Sequence, residues 1–370
     1  MIRILMLFTI LNRGGAETMV MNYYRHIDRT KVQFDFVVHR EERGAYEDEI
    51  EQLGGRIYRF MPLRPWTIHQ YKKQIKQFFD EHPEYRIIHG QCSELGYFFY
   101  KEAAKRGVPV IIAHAHNSRA DYDIKWIWRT WLKHQMRPYL THRFTCGMEA
   151  AKWLFGKEEA KSAILQRNAI DTKTFQFDET ARAQKRKKLG IKEDKLVVGH
   201  IGRFERQKNH PFILKVFQQL HANTPNSLLL LIGSGGGKET ETHQLVRDLQ
   251  LEQSVLFLGA RDDIPQLLCA MDVFLFPSYM EGLPLSLLEA QCSGLPCVVS
   301  DVVPQEACMT NLVTRLSIYN NKETEWADAI TKLFPTSFDR SSYVQQIAGA
   351  GYDIRQNAQW LQDFYLSCQR

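Results

Sequence analysis

The sequence predicts an α/β protein of two doubly wound, Rossmann-like parallel-sheet domains in tandem, and three observations carry that reading. Its 370 residues, at about 150 per domain, make two domains, each long enough to bury its own core. Short runs rich in Ile, Val, Leu and Phe are apolar throughout rather than alternating, as strands of a parallel sheet covered on both faces require. The pattern breaks at a polar, basic segment, residues 171–190, and then restarts. With 44% hydrophobic and 24% charged residues, the composition excludes disorder, collagen and coiled coil.

Taken in order, the first domain (residues 1–170) shows strand candidates at 2–10, 34–39, 56–61, 86–89, 108–114 and 142–147. Amphipathic stretches separate them; across residues 67–81, Ile68, Tyr71, Ile75, Phe78 and Phe79 recur at helical spacing. The first run, interrupted by Arg3, falls far short of the roughly 18 to 20 apolar residues of a membrane span. It leads straight into Asn12-Arg13-Gly14-Gly15, which reads as a buried strand entering a loop and not as a secretory signal. The basic run 182–188 reads as a solvated helix or linker near the domain boundary. In the second domain (residues 171–349) strands are expected at 195–202, 227–233, 254–259, 272–277 and 296–301. Helices are expected there at 210–220, 239–249, 264–271, 284–292 and 326–333. A last helix over about 350–370 is expected to pack back on the first domain. Two such domains would leave a cleft between the carboxyl ends of their sheets, where ligands of these folds bind.

The seven cysteines form no CxxC pair and sit in apolar surroundings, which fits a reducing cytosol. Residues 1–170 hold 27 Lys and Arg against 19 Asp and Glu, a net of +8; residues 171–370 hold 21 against 23, a net of −2. The basicity belongs to the first domain and points to an anionic partner there.

The most informative segment runs from Phe276 to Gln291. A strand ends, a loop follows, and Pro284 suits the first turn of a helix. Amides of Leu283 and Leu285 at that helix tip would offer an anion site, with Glu281 and Glu289 placed to accept hydroxyl hydrogen bonds beside it. Plain helix capping explains the same residues. A second constellation, Gly202-Arg203 through Lys208, follows the strand ending at Ile201, so that Arg203 and Lys208 could converge on one polyphosphate. A solvated charged loop is the plainer alternative. Gly233-Ser234-Gly235 starts a glycine-rich turn, but Lys238 stands where a dinucleotide fingerprint has its third glycine, so the turn is read as lining a nucleotide cleft.

These residues together resemble the retaining glycosyltransferases of family 4, bacterial exopolysaccharide or capsule enzymes among them, which have the two-domain GT-B fold. Arg203 and Lys208 after a glycine, then Gly233-Ser234-Gly235, then Glu281 with seven residues to Glu289 inside Pro-Ser-x-x-Glu-Gly-x-Pro carry the likeness. Gly14-Gly15-Ala16-Glu17 is similar to the family's N-terminal glycine loop. Asn168-Ala169-Ile170-Asp171 is similar to its Asn-Gly-Ile-Asp hinge, with Ala169 in place of the glycine. The resemblance implies transfer of a sugar from a nucleotide diphosphate donor, most simply a UDP-sugar, to a hydroxyl of a glycan or lipid-linked glycan, with no metal and no cofactor. It implies that Glu281 contacts the donor sugar, that Glu289 contacts the ribose, and that Arg203 and Lys208 hold the diphosphate. Gly14, Gly15, Gly233, Arg261, Gly282, Leu283, Pro284 and Leu285 complete the implied donor site. His116, in Ala113-His114-Ala115-His116-Asn117-Ser118, would face the transferred sugar; a structural histidine, or an HxH metal pair lacking a third ligand, are the alternatives.

Asp121-Tyr122-Asp123 mimics a DxD metal motif without a strand to present it and reads as surface acid. From Lys125 to Arg143, Trp126, Trp128, Trp131 and Tyr139 interleave with Lys and Arg, which suits either core filling or a peripheral contact with an anionic membrane at the cytoplasmic face. No nucleic-acid partner is expected. A nucleotide-sugar epimerase on the same scaffold, or a non-catalytic partner of another transferase, remain as other readings.

Overall fold

The computed structural model describes residues 1–116, 126–320, 322–334 and 338–369. The chain forms two compact units, Met1–Ala169 with Asp353–Arg370, and Ile170–Tyr352.

In the first unit, strands and helices alternate: β1 (Ile2–Leu7), α1 (Gly15–His26), β2 (Val32–Val38), α2 (Glu47–Gln52), β3 (Ile57–Arg59), α3 (Ile68–Glu81), β4 (Ile87–Gly90), α4 (Tyr97–Lys105), β5 (Val110–Ala115), α5 (Trp126–Met136), β6 (His142–Thr145), α6 (Met148–Phe155) and β7 (Ile164–Leu165). The sheet order is β3-β2-β1-β4-β5-β6-β7, with every neighbouring pair parallel. Parallel neighbours need crossover connections, which the helices supply. The core on one face is aromatic, with Tyr71, Phe78 and Phe79 of α3 packed on Phe99 of α4, as the helical spacing of the sequence predicts.

The second unit continues with α7 (Glu179–Lys188), β8 (Leu196–Ile201), α8 (His210–Asn223), β9 (Ser227–Ile232), α9 (Glu239–Asp248), β10 (Val255–Gly259), α10 (Ile264–Ala270), β11 (Val273–Phe276), α11 (Leu285–Cys292), β12 (Cys297–Ser300), β13 (Val313–Leu316), α12 (Glu323–Lys332) and α13 (Tyr343–Ile347). Its sheet, order β10-β9-β8-β11-β12-β13, is again all parallel. Successive side chains of a strand point to opposite faces. Leu196 and Val198 of β8 accordingly enter a core with Phe217 and Trp326, while Val197 enters a second core with Leu268 and Phe274. Burying each such side chain contributes about 1.5–3 kcal/mol, which is why these strands carry no polar face. The last helix, α14 (Ile354–Ser367), belongs to the first unit, where Gln362 Oε1 accepts from the Asp28 amide (2.8 Å) and the Tyr365 hydroxyl meets His89 Nδ1 (2.7 Å).

The expectation of a solvated run at 182–188 is corrected. Arg186 is fully buried in α7, and it joins Arg182 on the Asp272 carboxylate (2.6 and 2.7 Å). Arg186 also donates to the carbonyls of Ala270, Lys192, Glu193 and Lys195. A buried carboxylate at the head of β11 gathers these guanidinium groups, and only their spatial partners show that they are core.

Candidate active site

Both sheets reverse direction of growth once, between β1 and β4 and between β8 and β11. Loops leaving the carboxyl ends of strands at such a switch point diverge and leave room for a ligand. In the second unit these are the loop after β8, which carries Arg203 and Lys208, and the loop after β11, which carries Glu281.

The two loops are tied together. Asn209, in the left-handed region (φ 57°), donates from its side chain to the Pro277 carbonyl (3.2 Å). Gln207 donates to the Met280 carbonyl (2.7 Å) and accepts from the Tyr279 amide at its own carbonyl (2.9 Å). The result is that Lys208 Nζ lies 2.8 Å from Glu281 Oε1 and 4.6 Å over the Phe276 ring. Both side chains are largely enclosed, 16% and 7% exposed. At the end of β9, Gly233 (φ 140°) sits where a Cβ would come within 2.1 Å of the Gly202 carbonyl oxygen, so only glycine lets the two turns approach. Phe204 then donates to the Gly235 carbonyl (2.9 Å), which joins the glycine-rich turn to the Arg203 loop.

Helix α11 begins at Leu285 with Pro284 capping it, one residue later than the sequence suggested. The amides that helix geometry leaves open are therefore those of Leu285, Ser286 and Leu287, whereas Leu283 lies ahead of the helix beside Gly282 and is engaged in a contact of its own. Glu289, one turn into the helix, is half-buried, and its carboxyl has no partner among the described residues; burial pushes its pKa up to about 7. Strand β8, the start of α8 and the loop after β11 hold further buried polar atoms without partners among the described residues: His200 Nε2, both nitrogens of His210 and Ser278 Oγ.

Arg203 and Arg261 stand differently from expectation. Arg203 is 58% exposed and pairs with Glu205 (2.8 Å), and Arg261 holds Asp263 through two hydrogen bonds (2.8 and 2.6 Å). Neither shares a partner with Lys208, so the structure brings Lys208, Glu281 and the α11 tip to one strand edge while the two arginines satisfy carboxylates beside them in sequence.

In the first unit, Gly14 and Gly15 open α1 after β1, and a Cβ on Gly14 would meet the Glu17 carboxylate at 2.3 Å. His116 follows β5. Its Nε2 is 2.7 Å from Gln91 Oε1, just beyond β4, while the Gln91 amide nitrogen faces Met6 Sδ (3.9 Å). An amide oxygen only accepts, so the imidazole donates from Nε2 and keeps Nδ1 as an acceptor. His116 stacks on His114 (4.2 Å), which stacks on His89 (5.4 Å). Burial holds His116 at about 4 and His89 at about 3, so the stack is neutral near pH 7. Among the described residues no group of three His, Cys, Asp or Glu side chains is placed to hold a metal ion. Asn117, Ser118, Asp121-Tyr122-Asp123 and Lys125 lie outside the described residues.

Sequence reasoning missed Gln91 and gave no separate role to Gln207, Asn209 or Ser278, although all three stand inside the segments it singled out. Asn209 precedes a helix opening His-Pro, a position that tolerates the left-handed conformation.

Two Rossmann-like units with parallel sheets of seven and six strands define the GT-B class. The crystal structure of the Anabaena protein HepE in complex with UDP and glucose has the same fold, with a TM-score of 0.81 at 19% identity over 99% of this chain and 100% of that one. Residues 181–347 match the family model "Glycosyl transferases group 1" and residues 13–155 match "Glycosyltransferase Family 4". The Bacillus subtilis protein EpsF, provisionally named a glycosyltransferase, is 35% identical over 98% of this chain and 96% of its own length. The Escherichia coli UDP-Gal:α-D-GlcNAc-diphosphoundecaprenol α-1,3-galactosyltransferase is 28% identical over 68% of this chain and 66% of its own. The chain belongs to the group 1, family 4 glycosyltransferases, and it is a glycosyltransferase.

Proposed function

We propose that the enzyme moves a sugar from a uridine diphosphate sugar to a hydroxyl of a lipid-diphosphate-linked glycan, with retention at the anomeric carbon and without a metal or cofactor. The observation that carries the reading is the Lys208–Glu281 pair at the switch point, next to the open amides of α11. A distal phosphate of the donor docks on the amides of Leu285, Ser286 and Leu287, where the helix dipole favours negative charge, and draws Lys208 toward it. Glu281, released from Lys208, accepts hydroxyl hydrogen bonds from the sugar, and Glu289 accepts them from the ribose. The UDP and glucose of the Anabaena complex and the UDP-galactose and diphosphoundecaprenol in the name of the Escherichia coli relative support this choice of donor and acceptor.

As the bond from the anomeric carbon to the phosphate oxygen breaks, negative charge gathers on the diphosphate, and preorganised cation and amides stabilise it; one such donor is typically worth about 100- to 1000-fold in rate. The acceptor oxygen attacks from the face the phosphate leaves, and its proton passes to a departing phosphate oxygen. Neutral His116, with Nδ1 as acceptor, receives a hydroxyl of the transferred sugar. The enzyme works on the cytoplasmic side of the membrane in building a cell-surface exopolysaccharide. Incubation with UDP-glucose, UDP-galactose and UDP-N-acetylglucosamine, plus membrane lipid extract, tests this: one donor is consumed only when lipid acceptor is present, and the anomeric configuration of the product is that of the donor. Inversion, or donor turnover independent of acceptor, contradicts it.

A further inference from the structure

The strands of the first sheet send alternate side chains to its two faces. Ile88 of β4 and Ile111, Ala113 and Ala115 of β5 fill the core under α3 and α4, so His89 and His114 point to the opposite face, where the rings of α14 pack. Fully buried positions inside a parallel sheet ordinarily hold Val, Ile or Leu. Both residues are fully buried imidazoles instead, and His89 Nε2 and both nitrogens of His114 have no hydrogen-bond partner among the described residues. Polar atoms left unpaired in a core lower stability, and an apolar side chain would avoid that loss. Imidazoles kept at such a cost serve something other than stability.

Their arrangement shows what they serve. His116, His114 and His89 form a file of near-parallel rings, with interplanar angles of 15° and 14°. At the far end the Tyr365 hydroxyl of α14 lies 2.7 Å from His89 Nδ1. Phe144 of β6 stands edge-on to His89 (5.0 Å), and Phe364 of α14 packs edge-on against Phe144 (5.1 Å), so the file is braced by the last helix. At the near end the His114 and His116 centroids are 4.2 Å apart, inside the range of about 4.5–7 Å at which aromatic pairs usually settle. A compact imidazole at position 114 allows that approach, and a phenyl ring there would push His116 outward. Gln91 holds His116 through Nε2 alone, and one hydrogen bond leaves a ring free to swing about it. Stacking on His114 removes that freedom.

We infer that His114, backed by His89 and Tyr365, is a positioning residue that sets the plane and depth of the His116 ring. The inference rests on the proposed contact between His116 and the transferred sugar, and the three residues act only through His116.

Two measurements on the full chain test it. In the first, imidazole nitrogens of the isotope-labelled protein are observed by NMR, with His116→Ala identifying the His116 signals. The natural protein should show His116 as one neutral tautomer protonated at Nε2, and His114→Ala should show exchange between two tautomers. The second is sugar transfer to membrane lipid extract from whichever of the three UDP-sugars named above is consumed. His114→Ala and His114→Phe should each lower kcat/KM for the donor by about 10- to 100-fold, as loss of an orienting partner does, and Tyr365→Phe should lower it less. Unchanged thermal stabilisation by UDP verifies that each variant is folded. In a His116→Ala background the effect of His114→Ala should vanish, because residues that act as one unit are not additive. A single fixed tautomer in His114→Ala, full transfer by either His114 variant, or the same loss from His114→Ala with and without the His116 ring overturns the inference. Full transfer by His116→Ala, with the tautomers of His114→Ala exchanging as expected, would overturn the proposed sugar contact and uphold the positioning of the ring.

Discussion

Lys208 and Glu281, 73 residues apart in the chain, meet at 2.8 Å in a joint between the loop after β8 and the loop after β11. Gln207 and Asn209 fasten the same two loops through hydrogen bonds of their own. With the loop backbones fastened in this way, donor binding on the proposed reading shifts only the Lys208 side chain from Glu281 to the diphosphate, which limits the reorganisation.

Glu281→Gln removes the carboxylate from a largely enclosed ammonium. A hydrogen bond to a charged group contributes about 1.5–3 kcal/mol, so thermal unfolding of the variant without ligand should show a loss in that range. UDP affinity should hold, since Lys208 no longer has to leave a carboxylate, while sugar transfer falls. A parallel loss of UDP affinity would move Glu281 from the sugar to the phosphates.

Asp272→Asn strips the counter-charge from Arg182 and Arg186, the latter fully buried. Breaking one side of such a pair costs about 3–5 kcal/mol. Urea unfolding should show a lowered midpoint at unchanged slope.

Glu289 gives the protein a pH signature. Its carboxyl is raised from 4.5 to about 7 by burial, so between those values the folded chain keeps a proton that the unfolded chain has lost. Stability should therefore fall as pH rises from 4.5 to about 7 and level off above, and Glu289→Gln should flatten that slope. On the proposed ribose contact, hydroxyls donate better to the ionised form, so UDP should bind more tightly as pH passes 7 in the natural protein and not in the variant. Calorimetric titration across that range checks both.

Gln91 acts through His116. Gln91→Leu removes the acceptor that fixes the imidazole tautomer, and losing an orienting partner of this kind costs about 10- to 100-fold in activity. The loss should appear in kcat/KM for the sugar donor, while affinity for UDP, which lacks the sugar, stays unchanged. Gln91→Glu should raise the His116 pKa from about 4, bringing into the activity profile an acid limb at higher pH than in the natural protein.

Apolar runs without alternation made the two parallel sheets readable, since a strand covered on both faces has no polar side to hide its pattern. The edge strands Ile164–Leu165 and Val313–Leu316 were not, being too short and half-exposed to stand out. Lys208 and Glu281 were readable as residue types beside strand ends, but their direct contact depends on hydrogen bonds from Gln207 and Asn209 that no spacing encodes. Arg203, also a cation suited to phosphate beside a strand end, pairs with Glu205 two residues on, a contact that residue type alone does not give. The basic helix α7 misled because charge alone cannot tell a solvated face from a set of guanidinium groups folded onto one aspartate.

The central claim is tested most directly by calorimetric titration of UDP into the natural protein, Lys208→Ala and Arg203→Ala. At 100 times its dissociation constant UDP should add about 2.7 kcal/mol of stability to the natural protein. Lys208→Ala should lose most of the binding and Arg203→Ala less, in keeping with their 16% and 58% exposure. UDP bound equally well without the Lys208 ammonium would contradict the account.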